Sequence, residues 1–452
     1  MKNNLGCIFF RFSPSFVREI LVSKSGVGVV AGNTAWLMLD RITRMLLGIT
    51  VGAWVARYLG PSQYGELAYS IAMVALFQTI ANLGADGIIV RNLVHNTKDT
   101  HVILGTALGL RVVFGIISYF LVIVSVVFLQ PGNKEALVIT AIVGGILVFQ
   151  AADTIDLWFQ SQNQNKRTVI PKLVAYFFTN GIKVTLILND ASLLYFAIAL
   201  LLDIVVASFG LWFSYRRFPA DDRWLFRFSY SKNLLKESFP YLISGVAIMI
   251  YMRIDQIIIR EYLGAKELGL YSAALVLSTF WGFIPMTLYT ALGPYVANKK
   301  LESEQAYYDA LSNIFRIFGG IAIAAVLFTM FLGPLIVELL FGESYLGSIN
   351  ILLVHVFTNI FIFLGIAQGL WIINEKLGRI SIYKTLIGLI VCLVGNFSLV
   401  PIYGAIGSAI TAVLVQFSSA VASNVLFSTR ILKMQLFGIF PFDILFRKKP
   451  KS

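Results

Sequence analysis

Twelve apolar runs, each long enough to cross a lipid bilayer, decide what this chain can fold into. A membrane span needs about 20 mostly apolar residues. Runs of that kind occupy roughly 33–57, 65–85, 102–129, 136–159, 169–189, 191–215, 239–260, 268–293, 313–334, 347–373, 380–400 and 404–428. They are called spans 1 to 12 below. In hydrocarbon every backbone N–H and C=O has to be satisfied within its own segment, so runs of this kind become helices. The tightest divisions fall at "NDAS" (189–192) and "PIYG" (401–404), where Pro and Gly suit a short turn. Of 452 residues, 58% are hydrophobic and 13% charged, against about 25% charged in a soluble domain. Mean hydropathy is +0.80. The expected fold class is an all-α polytopic membrane protein with about twelve transmembrane helices.

Lys and Arg set the orientation, because cytoplasmic loops carry an excess of both. One side collects Lys2, Arg11, Arg18, Lys24, Arg91, Lys98, Lys166, Arg167 and the run from Arg216 to Lys236, then Lys299, Lys300, Lys376, Arg379 and the tail. The other side has Arg57, Lys134, Arg260 and Lys266. Both termini are therefore expected in the cytoplasm, with the chain multi-pass in the inner (plasma) membrane. The net charge of +13 then faces an anionic leaflet and calls for no nucleic acid. "LGCIFFRFSPSF" (5–16) is interrupted by Arg11 and Pro14 and reads as an interfacial lead-in, not a cleavable signal. Cys7 and Cys392 lie far apart, and His95, His101 and His355 are scattered, so no metal cluster is indicated. HExxH, P-loop and GxSxG patterns are missing from the sequence, and no cofactor is expected.

The chain repeats itself. "YLGPSQYG" (58–65) and "YLGAKELG" (262–269) align with Tyr58/Tyr262, Leu59/Leu263, Gly60/Gly264 and Gly65/Gly269 identical. Each copy joins the first and second spans of a six-span block. Six spans between copies is an even number, so the halves are parallel repeats about an axis along the membrane normal. The expected organisation is an interfacial N-terminal segment (1–32), an N-lobe (33–215), a cytoplasmic connector (216–238), a C-lobe (239–428) and a basic tail (429–452). Two six-helix lobes would form a V-shaped cleft.

Several stretches resemble Wzx-type polysaccharide repeat-unit flippases of the multidrug/oligosaccharidyl-lipid/polysaccharide exporter superfamily. They are "NTAWLMLDRITRMLLGITVGAWVARYLGPSQYGELAYS" (33–70), "RIDQIIIREYLGAKELGLYSAA" (253–274), "LWFQSQNQNKR" (157–167) and "FGESYLGSINIL" (341–352). The resemblance implies a V-shaped helical bundle that moves undecaprenyl-pyrophosphate-linked oligosaccharide from the inner to the outer leaflet. It implies as partners that lipid-linked glycan, membrane lipids, and a polysaccharide polymerase and glycosyltransferases of the same pathway.

Ionisable residues inside spans are costly and face the bundle interior or a watery cavity. Arg41 and Arg44 of span 1, three apart, share a face continued by Gly48 and Gly52. Arg44 lies some 15 Å from the span's cytoplasmic end at about 1.5 Å per residue. With Arg253 of span 7 they are the candidate pyrophosphate ligands, since guanidinium binds phosphate oxygens bidentately. Lys183 and Arg111 are candidates for the N-lobe wall of the cleft. The alternative for Arg41 and Arg44 is an ion pair with Asp153 or Asp203, that for Lys183 and Arg111 a pair with Asp156 or Asp203, and that for Arg253 an exchange of faces with Asp255. Asp153 and Asp156 share a face near the basic end of span 4, where such a pair could hold a proton or Na⁺ or be partnered by a cation. Arg253 and Asp255 are two apart, about 200° around the helix. The expectation is that Arg253 faces the cleft while Asp255 turns into its own lobe and pairs there. Arg316 and Lys384 lie nearer the basic ends of spans 9 and 11.

Two competing functions differ in their signatures. A drug or cation antiporter of the same superfamily would favour acids in the cavity. A membrane polysaccharide polymerase or ligase would carry a sizeable outer loop with His, Arg or acidic groups; the outer connections here are short and lack His. A major-facilitator carrier would show a Gly/Asp/Arg-rich motif between spans 2 and 3, which "GADGIIVRNLVHNTKDTHV" (84–102) does not resemble.

Overall fold

The structure, a computed structural model, describes residues 25–220 and 223–439. The lead-in up to residue 24, with Cys7, and the basic residues beyond 439 lie outside the described residues. Those described form helices joined by short turns, with no strand among them. Among the described residues, ten helices are long and apolar enough to cross a membrane. One of these, Trp36–His95, holds both span 1 and span 2. Span 5, Lys166–Leu188, is long enough but carries Lys166, Arg167, Lys172 and Lys183. With these the expected twelve are present, in two six-span lobes.

Spans 1 and 2 form one run, Ser25–Asn82, bent at Gly60, where φ is 71° and ψ 167°. Gly264, its counterpart in the repeat, has φ 88° and ψ 177° and separates span 7 (Phe228–Leu263) from span 8, which begins at Ala265. Only glycine enters this backbone region without strain, so one residue makes the whole reversal. Pro61 begins the second arm, where its missing N–H costs nothing.

The other two glycines of the repeat join the lobes. A Cβ on Gly65 would lie 1.8 Å from the carbonyl oxygen of Ala265, and one on Gly269 would lie 1.9 Å from that of Pro61. Positions 61 and 265 correspond in the repeat, as do 65 and 269. Each lobe therefore grips the other with the same pair of residues, which is what a two-fold axis between parallel repeats requires. Around this contact Arg260 pairs with Glu66 at 2.5 Å, each side chain 12% exposed. Tyr345 donates to the carbonyl of Ala56 at 2.7 Å, and Gln130 to Glu261 at 2.7 Å. One apolar cluster draws Val55, Leu59 and Tyr69 from one lobe and Ile258, Leu268 and Phe341 from the other.

The opposite end of the bundle, called the basic side here, carries three pieces that the hydropathy pattern leaves out. A ten-residue helix, Asp86–His95, buries Ile88, Ile89 and Leu93. Its Arg91 pairs with Glu237, and Asn92 donates to Tyr230 at 3.0 Å. The connector expected at 216–238 is flanked by helices that run into that range, and described residues of it dock on span 3. Span 6 runs to Arg217 and the next helix begins at Phe228. Between them the Leu225 N–H donates to the His101 carbonyl at 3.0 Å, and the Arg227 N–H to Thr106 Oγ1 at 3.1 Å. Both acceptors belong to span 3, Thr100–Leu129. The tail begins as a helix, Thr429–Ile439, whose Ile431 is buried with Leu311, Phe315 and Phe318 of span 9.

If the reciprocal glycine contact holds the lobes together, Gly65→Val with Gly269→Val should force them apart at that end. Spin labels at Leu129 and Leu346, both exposed, should then report a longer distance by pulsed electron resonance. An unchanged distance distribution would show that the contact does not set the lobe separation.

Candidate functional site

Two cavities adjoin the lobe interface. The first, about 500 Å³, is bordered by Tyr64, Ala68 and Ile71 of span 2 and by spans 7, 8, 10, 11 and 12 of the C-lobe. Its polar wall includes Arg253, Asp255, Gln256 and Ser272. The second, about 470 Å³, lies between span 1 and span 8, with Arg41, Arg44 and Gly48 on one wall and Phe280, Phe283 and Met286 on the other. Val276 and Thr279 border both, so the cavities are neighbours across a single turn of span 8.

Arg253 and Asp255 thus line the same cavity, which corrects the expectation that they face apart. Tyr251, Met252, Arg253, Asp255 and Gln256 all border it. At about 100° per residue these five cover roughly 200° of the helix surface, with Asp255 near one edge and Arg253 at the other. The cavity wraps around span 7 instead of touching one stripe of it. The part of the expectation that survives is that Asp255 bonds within its own lobe, but its partner is no cation. Tyr271 of span 8 donates to it at 2.6 Å.

The cations divide into paired and unpaired groups. Arg44 is heavily engaged: its Nε donates to Asp40 at 2.9 Å, its Nη2 to the Lys172 carbonyl at 2.9 Å, and Asp203 lies 3.9 Å away. Its guanidinium also stacks over Tyr176, 4.7 Å from the ring centroid. Arg111, 2% exposed, pairs with Asp86 and borders neither cavity. Asp86 is a partner the sequence reading did not name. Asp153 and Asp156 close on Lys172 at 2.8 and 2.7 Å. Lys183 is half-buried on span 5, within the field of Asp203, and borders neither cavity. Arg41 and Arg253 make no hydrogen bond or ion pair among the described residues, and each borders a cavity.

Lys172 could have been found. Spans 4 and 5 are joined by a tight turn after Ser161, so Asp156 and Lys172 lie at nearly equal depth on adjacent helices. Lys384, 7% exposed, has no carboxylate partner; it donates to Gln368 at 2.5 Å, to Asn424 at 3.1 Å and to the Ala420 carbonyl at 3.2 Å. Gln435 of the terminal helix also donates to Ala420, at 3.1 Å, and ties that helix into the C-lobe.

The helices, the two-fold contact between the lobes and the cavities beside it define a polytopic all-α membrane protein. The family described as "Polysaccharide biosynthesis protein" matches residues 30–299, more than half of the chain, and the chain belongs to it. It is 22% identical over 404 residues to the capsular polysaccharide biosynthesis protein CapF of Staphylococcus aureus, covering 86% of this chain and 97% of that one. Its fold is similar to a multidrug resistance MATE family transporter of the MOP superfamily in an inward-facing conformation, with TM-score 0.66 and 16% identity over 89% of this chain and 99% of that one. It is also similar to the lipid II flippase MurJ in an inward closed conformation, with TM-score 0.63 and 16% identity over 92% and 93%.

The hydrogen bond between Tyr271 and Asp255 separates two substitutions. Asp255→Asn keeps an acceptor and should cost under about 1 kcal/mol, whereas Asp255→Leu strands a buried phenol and should cost about 1–3 kcal/mol. Thermal unfolding in detergent reads the difference. Equal losses would mean that the carboxylate's charge, not its hydrogen bond, stabilises span 7.

Proposed function

We propose that this membrane transporter flips an undecaprenyl-pyrophosphate-linked oligosaccharide from the inner to the outer leaflet for cell-surface polysaccharide synthesis. It does so by alternating access between its two lobes, 33–215 and 239–428, without covalent chemistry. The observation that carries this reading is the guanidinium of Arg41, which makes no hydrogen bond or ion pair among the described residues and borders the cavity between spans 1 and 8, with Arg253 bordering the adjoining cavity beside Asp255. An arginine within a span is costly unless it meets water or an anion, and both of these border open cavities. A pyrophosphate fits, because its oxygens accept the bidentate fork that guanidinium offers. Arg44, held by Asp40 and Asp203, shapes the same wall but has less charge to give. Membership of a polysaccharide biosynthesis family and the likeness to CapF point to a glycan cargo.

The second cavity explains how a lipid-linked cargo would fit. Met45, Ile49, Phe283 and Met286 make much of its wall apolar, with the arginines at one side. A polyprenyl tail can stay in hydrocarbon there while its head group meets charge. The basic side is assigned to the cytoplasm on the Lys/Arg bias. The lobes then meet at their outer ends. Asp255, which borders the first cavity, is the one observation in favour of a cation antiporter. Tyr271 already uses its acceptor capacity in part.

Arg41→Ala and Arg253→Ala should each lower export of lipid-linked glycan about tenfold or more at normal protein levels. The basis is that a hydrogen bond to a charged group contributes about 1.5–3 kcal/mol. Lys at either position should restore export only in part. Full export by the Arg41→Ala variant would remove the pyrophosphate role.

Orientation has its own check. In a protein freed of Cys7 and Cys392, an impermeant thiol reagent added outside should label cysteine placed at Lys134 and spare cysteine placed at Arg223. The reverse labelling would invert the direction of transport.

A further inference from the structure

We infer that the cavity bordered by Arg253, Asp255, Gln256 and Ser272 is the saccharide subsite of this transporter, separate from the cavity that takes the pyrophosphate. The inference rests on the flippase reading and deepens it. It begins with polar groups that have nothing to bond. Gln256 is 4% exposed and Ser272 7% exposed, and both border the cavity. Ser272 Oγ has no hydrogen-bond partner among the described residues. The Gln256 side chain makes no hydrogen bond among them either, and neither does Arg253. A buried amide or hydroxyl left unsatisfied is costly, so Gln256 and Ser272, with the half-buried Arg253 beside them, suit a ligand that both donates and accepts. Sugar hydroxyls do both.

Charge separates the two cavities. In the first, Arg253 faces the same space as Asp255, and their charges cancel. A neutral polar ligand suits that balance better than an anion does. In the second, Arg44 is offset by Asp40 and Asp203, which leaves the charge of Arg41 uncompensated. The shared wall at Val276 and Thr279 lets one molecule occupy both, with its anionic part beside Arg41 and its neutral polar part beside Gln256. A volume of about 500 Å³ is within the range of small-molecule sites, about 300–1,000 Å³. Tyr64 and Tyr251 supply ring surfaces for the C–H faces of a sugar.

The position also serves release. Tyr64 and Ala68 close the cavity from the N-lobe and flank Gly65, the residue in backbone contact with Ala265. Separating the lobes at that contact removes the wall and opens the subsite toward the outer side.

The test uses the full-length purified protein in lipid nanodiscs and two probes: the lipid-linked oligosaccharide extracted from producing cells, and bare undecaprenyl pyrophosphate. Wild type should bind the glycan-bearing probe more tightly. Gln256→Leu and Ser272→Val should each erase about fivefold of that preference, the share of a neutral hydrogen bond, and leave the bare probe within about twofold. Arg41→Ala should weaken both probes by the same factor. If Gln256→Leu does not fold, Gln256→Met keeps the length and removes the amide. Equal binding of both probes by wild type, or equal weakening of both by the cavity variants, would overturn the saccharide subsite and leave the pyrophosphate reading intact. Binding of neither probe by wild type would instead overturn the flippase reading itself.

Discussion

The backbone contact of Gly65 with Ala265, repeated as Gly269 with Pro61, is the constraint around which the two lobes are arranged. Between helices in lipid there is no hydrophobic drive to associate, because lipid tails are as apolar as leucine. Close packing through small residues and polar bonds has to supply the attraction. Both are present here. The glycines let carbonyls approach to a distance that a Cβ would forbid, and the Arg260–Glu66 pair and the Tyr345–Ala56 bond lie around them. Because the contact is two-fold, its halves are coupled: moving span 2 off span 8 at Gly65 also moves Pro61 off Gly269. A joint of that kind suits two arrangements better than a continuum of them.

That joint fixes where charge can be left open. In the N-lobe nearly every intramembrane charge is committed to a neighbour: Arg44 to Asp40 and Asp203, Lys172 to Asp153 and Asp156, and Arg111 to Asp86. These pairs join spans 1, 5 and 6, spans 4 and 5, and span 3 with the short helix Asp86–His95, and so tie the helices of the lobe to one another. Arg41 and Lys183 are the exceptions in the N-lobe, and of these Arg41 borders a cavity, as Arg253 does in the C-lobe. The contrast between committed and open arginines, more than their number, is the feature that marks the candidate site.

Much of the fold was legible in the sequence because its strongest signals are simple ones. Twelve apolar runs, one Lys/Arg bias and one repeated octapeptide lead to twelve spans in two lobes. The site was legible in part. Arg41, Arg44 and Arg253 were recognisable from depth, but depth does not say which is neutralised; Asp40 lies four residues before Arg44 and meets it on the same face. The separation of Arg253 from Asp255 failed because the angular argument assumed a cavity touching one stripe of span 7, and the cavity covers about half its circumference. Asp86 was missed with the short helix Asp86–His95, since ten amphipathic residues leave no mark on a twenty-residue window. Gln256 and Ser272 are neutral, and a neutral polar residue in a span looks ordinary until its neighbours are known.

The helix irregularities complete the picture, and no Gly/Pro rule would have located all of them. Span 8 tightens to a 3₁₀ turn at Phe280–Gly282, next to Thr279, which borders both cavities. Span 10 breaks between His355 and Thr358, and both residues line the first cavity. Span 12 widens to a π turn at Ser418–Ala422, just past Val415 and Gln416, which line it too. Non-helical backbone at membrane depth is tolerated only where protein or a wet cavity can satisfy the freed groups. The Ala420 carbonyl, taken up by Lys384 and Gln435, is a direct instance. The N-lobe bends too, at the 3₁₀ turn Gln150–Ala152 of span 4, but the irregular turns of spans 8, 10 and 12 are the ones that lie beside the first cavity.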